Sequence, residues 1–408
     1  MEYGLIGEKL GHSYSGVIHG KIGDYGYELC EIPKDGLADF MKKHDFKGIN
    51  VTIPYKKDVI PFLDEISPEA EKIGSVNTVV NRGGKLFGYN TDIDGFLYMA
   101  KRAGIEFSGR KVIILGSGGT SLTAKAAAEM SGAAEIVTVS RNGENNYGNT
   151  DRHFDAEIVI NTTPVGMYPN VCASPMRLDG FKNLEGVIDV IYNPVRTELI
   201  MQAEKMGVKC TSGLPMLAAQ AVYAYDRFFG KTSGEELFEK IISETDFETE
   251  NIVLIGMPGS GKTTVGKRLA EMLDREFIDT DEYIETQKNT TIPKLFEAFG
   301  EEGFRMIESD VAECVGKLSG KVIATGGGIV TRLENYGSLH RNGRIIFVER
   351  DINLLELSGR PLSKDRTAVE RMYRERYDSY VQFADFSADN SGEIDETAKK
   401  ILQCCYKA

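Results

Sequence analysis

The sequence predicts an α/β protein with largely parallel sheets, spread over two or three domains. Short β-rich runs alternate with helical patterns almost throughout its 408 residues, the signature of strand–helix–strand units. That length exceeds one ordinary hydrophobic core. Two glycine-rich turns, "LGSGGTS" at 115–121 and "GMPGSGKT" at 256–263, each stand between an apolar strand and a helix.

Along the first hundred residues, "YGLIG" (3–7), "GYELCEI" (26–32) and "GINVTI" (48–53) read as strands separated by helical segments. "SVNTVVNRGGKLFGYN" (75–90) reads as a hairpin around Gly83 and Gly84, and "TDIDGFLYMAKRAG" (91–104) as a capped helix. From about 110, "KVIILG", "EIVTVS", "AEIVINTT" and "GVIDVIY" follow as buried strands of a nucleotide-binding sheet. "GLPMLAAQAVYAYDRFFG" (213–230) is a strong helix, expected to pack back on the first segment. Residues 231–251 are acidic and poor in apolar side chains, so the main boundary is expected near 247. The expected domains are 1–103, joined by helix 213–245, then 104–245, a linker at 246–250, and 251–408.

A net charge of −13 argues against nucleic-acid binding, which needs phosphate-neutralising lysines and arginines. The six cysteines include no C-x-x-C pair and no metal-ligand spacing, a usage suited to a reducing cytosol. The opening residues have no signal-peptide pattern, and no apolar run is long enough to span a bilayer. A cytoplasmic protein without membrane contact is the expectation.

In the first glycine turn, Gly116 permits the tight bend, and Gly118 lets the backbone approach a pyrophosphate at the helix N-terminus. Ser117, Gly119 and Thr120 complete the turn, with Ser121 in the place of a third glycine. A turn without a ligand is the competing reading. The next strand ends at Arg141, which can pair with a 2′-phosphate and so favours NADP(H); a solvated surface arginine is the alternative. Further ordered motifs accompany this turn: "GEKLGHSYS" (7–15), "NVTIPYK" (50–56), "SVNT" (75–78), "YNTDIDG" (89–95), "INTTPVGM" (160–167) and "GLPMLAAQA" (213–221). In this order they resemble the shikimate dehydrogenases over roughly residues 1–245. The resemblance implies an N-terminal substrate domain followed by a Rossmann-like dinucleotide-binding domain. It implies Lys56 and Asp92 as the catalytic pair beside the ring ketone, and Ser13 and Ser15 as donors to the substrate carboxylate. Thr52, Asn77, Tyr192 and Gln220 would complete the pocket, and Gly213 would border the cofactor. The sequence departs from that family at Gly16, where proline is common, and after Arg141, where no helix with further basic residues is evident.

The second turn matches G-x-x-x-x-G-K-[ST] in its required context. Backbone N–H groups of Gly259, Ser260 and Gly261 would surround phosphates, Lys262 would reach the outer ones, and Thr263 could ligate Mg2+, with Thr264 beside it. "FIDTDEYIE" (277–285) is read as setting Asp279 and Asp281 two apart on an extended strand end, facing one side. "GEEGFRMIE" (300–308) puts Arg305 and Glu308 on one helix face. With "ATGGG" (324–328), "SGRPLS" (358–363) and "RERYDSY" (374–380), this order resembles the shikimate kinases over roughly 250–408. The resemblance implies a P-loop domain like the nucleoside monophosphate kinases, with a parallel sheet, using ATP and Mg2+. Asp281 would be the base, Asp279 would support the metal, and Arg305, Arg376 and Gly327 would hold shikimate. Glu308 would orient Arg305, and Arg360 would act from a lid on the transferring phosphoryl group. The sequence departs from that family before Arg360: "NLLELSGRPLSKDRT" (353–367) is compact, and the usual extra arginine beside adenine is absent.

Together the resemblances imply reduction of 3-dehydroshikimate to shikimate, then phosphorylation of that product at its 3-hydroxyl, consecutive steps toward chorismate and the aromatic amino acids. Quinate oxidation with NAD by the first half is the main rival; a ligand-sensing regulator is the rival from another class.

Overall fold

The computed structural model describes residues 1–11, 14–355 and 366–407. Its chain contacts divide into two units, Met1–Tyr192 with Thr197–Thr245, and Asn193–Arg196 with Asp246–Ala408.

The first unit opens with β1 (Tyr3–Gly7), α1 (Ser15–Ile22), β2 (Tyr27–Glu31), α2 (Leu37–Lys43), β3 (Gly48–Val51), β4 (Glu65–Ile66), α3 (Pro68–Ile73), β5 (Thr78–Arg82), β6 (Lys85–Tyr89) and α4 (Thr91–Arg102). These strands form one mixed sheet in the order β2-β1-β3-β5-β6-β4. Its antiparallel part is β5, paired with β3 on one side and with β6 on the other, and in the β5–β6 hairpin Arg82 faces Lys85 across Gly83 and Gly84. Both glycines have positive φ, the conformation a two-residue hairpin turn demands.

The same unit continues with β7 (Lys111–Leu115), α5 (Gly119–Met130), β8 (Glu135–Val139), β9 (Ile158–Asn161), β10 (Gly186–Asp189), α6 (Glu198–Lys205), β11 (Lys209–Thr211), α7 (Leu214–Phe229) and, as far as Thr245, α8 (Glu235–Thr249). The second sheet is wholly parallel, ordered β11-β10-β9-β7-β8. In β7 the side chains alternate between faces, as a strand's period of two requires. Val112 and Ile114 join Phe96 and Met99 of α4 and Ala124 and Ala127 of α5. Ile113 and Leu115 join Leu199, Ile200 and Ala203 of α6. Each fully buried side chain of this size contributes roughly 1.5–3 kcal/mol, so the two-sided core fixes where the strand ends point.

Helix α7 buries Ala218, Ala219 and Val222 against Ile18 and Ile22 of α1. It also crosses α4 so closely that a β-carbon at Gly95 would meet the Met216 carbonyl oxygen at 2.7 Å. The expected linker at 246–250 is instead largely helical, because α8 runs on to Thr249. Its acidic residues disguise an inner stripe, Phe238, Ile241 and Ile242, which packs on α7 and supplies the helix with a buried face.

The second unit holds β12 (Asn251–Ile255), α9 (Lys262–Leu273), β13 (Phe277–Asp279), α10 (Thr280–Lys288), α11 (Ile292–Gly316), β14 (Val322–Ala324), α12 (Glu334–His340), β15 (Gly343–Glu349), α13 (Arg366–Phe383), β16 (Phe386–Asp389) and α14 (Ile394–Lys407). Its parallel sheet runs β13-β14-β12-β15-β16. Strand β12 repeats the two-faced pattern: Val253 and Ile255 enter one core, Ile252 and Leu254 the other. No helix among the described residues is long and apolar enough to cross a membrane.

Candidate functional site

In the first unit a cavity of about 390 Å³ is lined by Ser15, Thr52, Lys56, Asn77, Asp92, Thr120, Tyr192, Gly213 and Gln220, among others. The structure therefore gathers residues from six separate sequence motifs. Lys56 Nζ donates to Asp92 Oδ2 at 2.7 Å, with the two side chains 29% and 18% exposed. Local folding sets this pair. The buried Tyr55 donates its hydroxyl to the Ile32 carbonyl at 2.6 Å, which pins the turn that projects Lys56. Asn90 caps α4 by accepting from the Ile93 N–H, so Asp92 lies in the first helical turn, where the helix dipole favours negative charge. Asn77 Oδ1 accepts from the Thr91 N–H at 2.7 Å, tying the same helix start to the residue just before β5.

Tyr14, Lys9, Met216 and Leu217 also line this cavity and were not singled out from sequence. The Tyr14 ring stands edge-on to Tyr192, with centroids 5.9 Å apart. Gly213 has a packing reason for its lack of a side chain, since a β-carbon there would lie 2.0 Å from the Val190 carbonyl oxygen. Ser13 lies outside the described residues.

A second cavity, about 650 Å³, opens at the carboxyl ends of β7, β8 and β9 and is bordered by Gly116, Ser117, Gly118, Ser140, Arg141, Tyr147, Thr162 and Thr163. The chain passes from β7 to β8 on one side and then to β9 on the other, and such a switch point is where open parallel sheets bind ligands. Gly116 has φ +108, and a β-carbon there would strike the Thr162 hydroxyl at 2.8 Å. Among the described residues, nothing beyond the local chain lies within 4 Å of a β-carbon built at Gly118 or Gly119, so the backbone at the start of α5 is open to an approaching phosphate. Ser121, in the third glycine's place, donates its hydroxyl to the Gly118 carbonyl at 2.6 Å and closes the turn. Thr120, one residue on from Gly119, borders the first cavity, so one helix start serves both. Between β8 and β9 the regular structure is a single 3-10 turn, Thr150–His153. Tyr147 projects from this loop toward Arg141, whose charge opposes the upward push that burial gives the Tyr147 hydroxyl pKa. A tyrosine in a loop of asparagines and glycines carries no sequence signal of its own.

In the second unit a cavity of about 310 Å³ is lined by Lys262, Thr263, Asp279, Asp281, Arg305, Glu308, Gly327 and Arg376, with Phe296, Phe304 and Met372 as its apolar wall. It lies by the loop after β12, between neighbours β14 and β15. Gly259 and Gly261 have φ +84 and +91, left-handed values that open the loop around a phosphate. Lys262 Nζ donates to the carbonyls of Gly256 and Met257 at 2.9 Å. Ser260 is fully buried within the loop, and Thr264 continues α9. Thr263 Oγ1 donates to Asp279 Oδ2 at 2.8 Å.

The two aspartates do not share a strand end. Strand β13 stops at Asp279, which caps α10 by accepting from the Asp281 and Glu282 N–H groups, so Asp281 stands in the first helical turn. They face one cavity because the cap turns the chain, not because a strand alternates. Arg305 Nη1 donates to Glu308 Oε2 at 2.7 Å, both nearly fully buried. Burial opposes the guanidinium charge, but Glu308 and Glu301 outweigh it and raise the Arg305 pKa. Arg305 Nε is buried without a hydrogen-bond partner among the described residues. The triple-glycine turn fits around these groups: a β-carbon at Gly326 would meet Glu308 and Asp281 within 2.7 Å, and one at Gly328 would strike Arg305. The Gly327 carbonyl accepts from Arg376 at 2.9 Å and from the Tyr380 hydroxyl at 2.5 Å, so Tyr380 joins the predicted set as a support. Arg360 lies outside the described residues.

Fold and sites thus define a chain with two enzymatic units, a dinucleotide-dependent oxidoreductase and a P-loop phosphoryl transferase. Residues 5–79 match the model of the shikimate dehydrogenase substrate binding domain, and residues 258–406 match that of shikimate kinase. The shikimate dehydrogenase (NADP(+)) of Clostridium perfringens is 38% identical over 264 residues, which cover 59% of this chain and 97% of that protein. Among solved structures, a chorismate mutase/shikimate 5-dehydrogenase fusion from Clostridium acetobutylicum is similar at 37% identity and a TM-score of 0.57, over 60% of this chain and 96% of that one. Shikimate 5-dehydrogenase from Thermus thermophilus, solved with NADP(H) and shikimate, is 29% identical with a TM-score of 0.54, over 60% of this chain and 99% of that one. The chain belongs to the shikimate dehydrogenase family and carries a shikimate kinase domain C-terminal to it.

Proposed function

We propose that this chain reduces 3-dehydroshikimate to shikimate with NADPH and then phosphorylates shikimate at its 3-hydroxyl with ATP. The observation that carries the reading is the Lys56–Asp92 pair in a cavity that Thr120 of the dinucleotide-binding helix also borders. Ketone and hydride donor then meet across one helix start. NADPH supplies the hydride when bound. The Lys56 ammonium hydrogen-bonds the ketone oxygen, stabilises the negative charge that grows there and gives it the proton that completes the alcohol, while Asp92 orients the ammonium. Ser15, Thr52, Asn77, Tyr192 and Gln220 satisfy the ring hydroxyls and carboxylate, and a site so built rejects analogues lacking them. Ser13 is assigned with them from the resemblance. Gly116 to Thr120 hold the dinucleotide phosphates and Arg141 the 2′-phosphate, with Gly213 shaping the wall between. The matched relative acts with NADP(+), so quinate oxidation with NAD is not favoured.

In the second unit, Asp281 accepts the proton of the attacking hydroxyl. Arg305, oriented by Glu308, and Arg376 bind the shikimate carboxylate beside Gly327. Gly259 to Thr264 cradle the nucleotide phosphates, and Arg360 is assigned to the transferring group by resemblance. Thr263 and Asp279 fit Mg2+, which takes few protein oxygens and keeps waters and substrate phosphate for the rest. No cluster of three or more His, Cys, Asp or Glu that could cage a metal occurs among the described residues. The ion would neutralise phosphate charge. None of the six cysteines is paired in a disulfide, which supports a reducing compartment, the cytoplasm.

One reaction mixture containing 3-dehydroshikimate, NADPH, ATP and Mg2+ tests the whole assignment. NADPH loss and shikimate 3-phosphate gain should appear together. A purified chain inert in both would end the reading.

A further inference from the structure

A buried polar network runs beneath both cavities of the first unit, through residues with no role assigned above. Asp189 closes β10 and is fully buried. Its Oδ1 accepts from Asn161 Nδ2 and from the Ile191 N–H, both at 3.1 Å, and its Oδ2 accepts from the Thr197 hydroxyl at 2.7 Å. Asn161 closes β9 directly opposite Asp189. Its Oδ1 accepts from the Thr163 N–H at 3.0 Å and the Thr163 hydroxyl at 2.7 Å, and its Nδ2 reaches the Val165 carbonyl at 3.4 Å. Thr163 and Val165 border the dinucleotide cavity. Val190 and Tyr192, on either side of Ile191, border the substrate cavity.

We propose that Asp189 is a positioning residue for the reduction, bracing the Thr162–Val165 loop through Asn161 and the Val190–Tyr192 segment through Ile191. The inference rests on the dehydrogenase reading of this unit. An acceptor with several lone pairs is needed, because three donors converge on one side chain. Asparagine can meet that demand. Its carbonyl oxygen would take Asn161 and Ile191, while its amide would face the Thr197 hydroxyl, which can turn to accept. Alanine can meet none of it, and the freed donors are left buried and unpaired.

The test measures separate KM values for NADPH and 3-dehydroshikimate on the full chain, with phosphorylation of shikimate by the same preparation as an internal reference. Asp189→Ala should raise both KM values by about tenfold, the equivalent of one lost buried hydrogen bond on each arm, and leave phosphorylation unchanged. Asp189→Asn should restore both toward wild type. Asn161→Leu, which cuts only one arm, should raise the KM for NADPH and leave that for 3-dehydroshikimate close to wild type. A lowered Tm in Asp189→Ala with both KM values unchanged would make the residue merely structural and overturn the proposal. Failure of Asp189→Asn to rescue, or equal effects of Asn161→Leu on both KM values, would overturn it too. If Asp189→Ala does not fold, the other two variants decide. A wild-type chain without NADPH-dependent reduction would instead remove the reading beneath the inference, and the inference with it.

Discussion

Single side chains separate the two activities. Lys56→Ala deletes the ammonium beside Asp92, and reduction should fall by roughly 10²- to 10⁴-fold, the usual worth of a positioned proton donor. Phosphorylation by the same chain should stay unchanged. Asp281→Ala should do the reverse, and loss of both activities in either variant would contradict independent sites. Arg305 is a different case, because its charge is buried with that of Glu308. Removing one partner of such a pair costs about 3–5 kcal/mol, so Glu308→Ala should lower the second unit's stability as well as its affinity for shikimate. Arg305→Lys keeps the charge but loses the planar fork; the KM for shikimate in phosphorylation should rise with little loss of fold, as circular dichroism would check. Much of this scale was legible in the sequence. Lys56, Asp92 and Lys262 sit in motifs whose spacing survives without a structure. Tyr14 and Tyr147 did not stand out, since an aromatic side chain reads as core until the fold shows which cavity it borders, and Tyr380 is core, reaching the site only through the Gly327 carbonyl.

At the scale of elements, the approach of α4 to α7 matters most. Asp92 rides on α4 and Gln220 on α7, and Gly95 lets the two helices touch. Gly95→Ala should force them apart at a cost of about 1–3 kcal/mol of overpacking strain, and reduction should decline more than the Tm shift alone explains. Enzyme assays well below the variant's Tm would separate the two effects. Most strands follow from short continuous apolar runs, as parallel strands buried on both faces require, and the hairpin and both glycine turns follow from turn chemistry. The course of 246–249 did not, because an acidic helix with a narrow apolar stripe resembles a solvated connector until its buried face has a partner. The same holds for Asp281: sequence spacing gives a two-residue offset on a strand, while the cap at Asp279 turns that offset into a helix start.

For the molecule as a whole, buried titratable groups set a pH signature. Burial pushes the Asp189 carboxyl up to about 6 from an ordinary value of 3.8, although Thr197, Ile191 and Asn161 oppose it. Its contribution to stability is therefore full below about pH 4 and lost as the pH rises through about 6, a difference of roughly 3 kcal/mol. His19, pushed down to about 3 by burial, titrates in the opposite sense, favouring the fold above its ordinary pKa and losing that as the medium is acidified. The difference between wild type and Asp189→Asn isolates the first effect. Denaturant titrations at pH 4.5 and 7 should show the wild type losing stability relative to that variant as the pH rises, and parallel curves would refute it. A further consequence belongs to the triple-glycine turn, where a β-carbon at Gly327 would lie 2.7 Å from Pro258 of the phosphate loop. Both residues line one cavity, so even one methyl group at Gly327 would have to wedge the triple-glycine turn away from the phosphate loop and widen the space the two share.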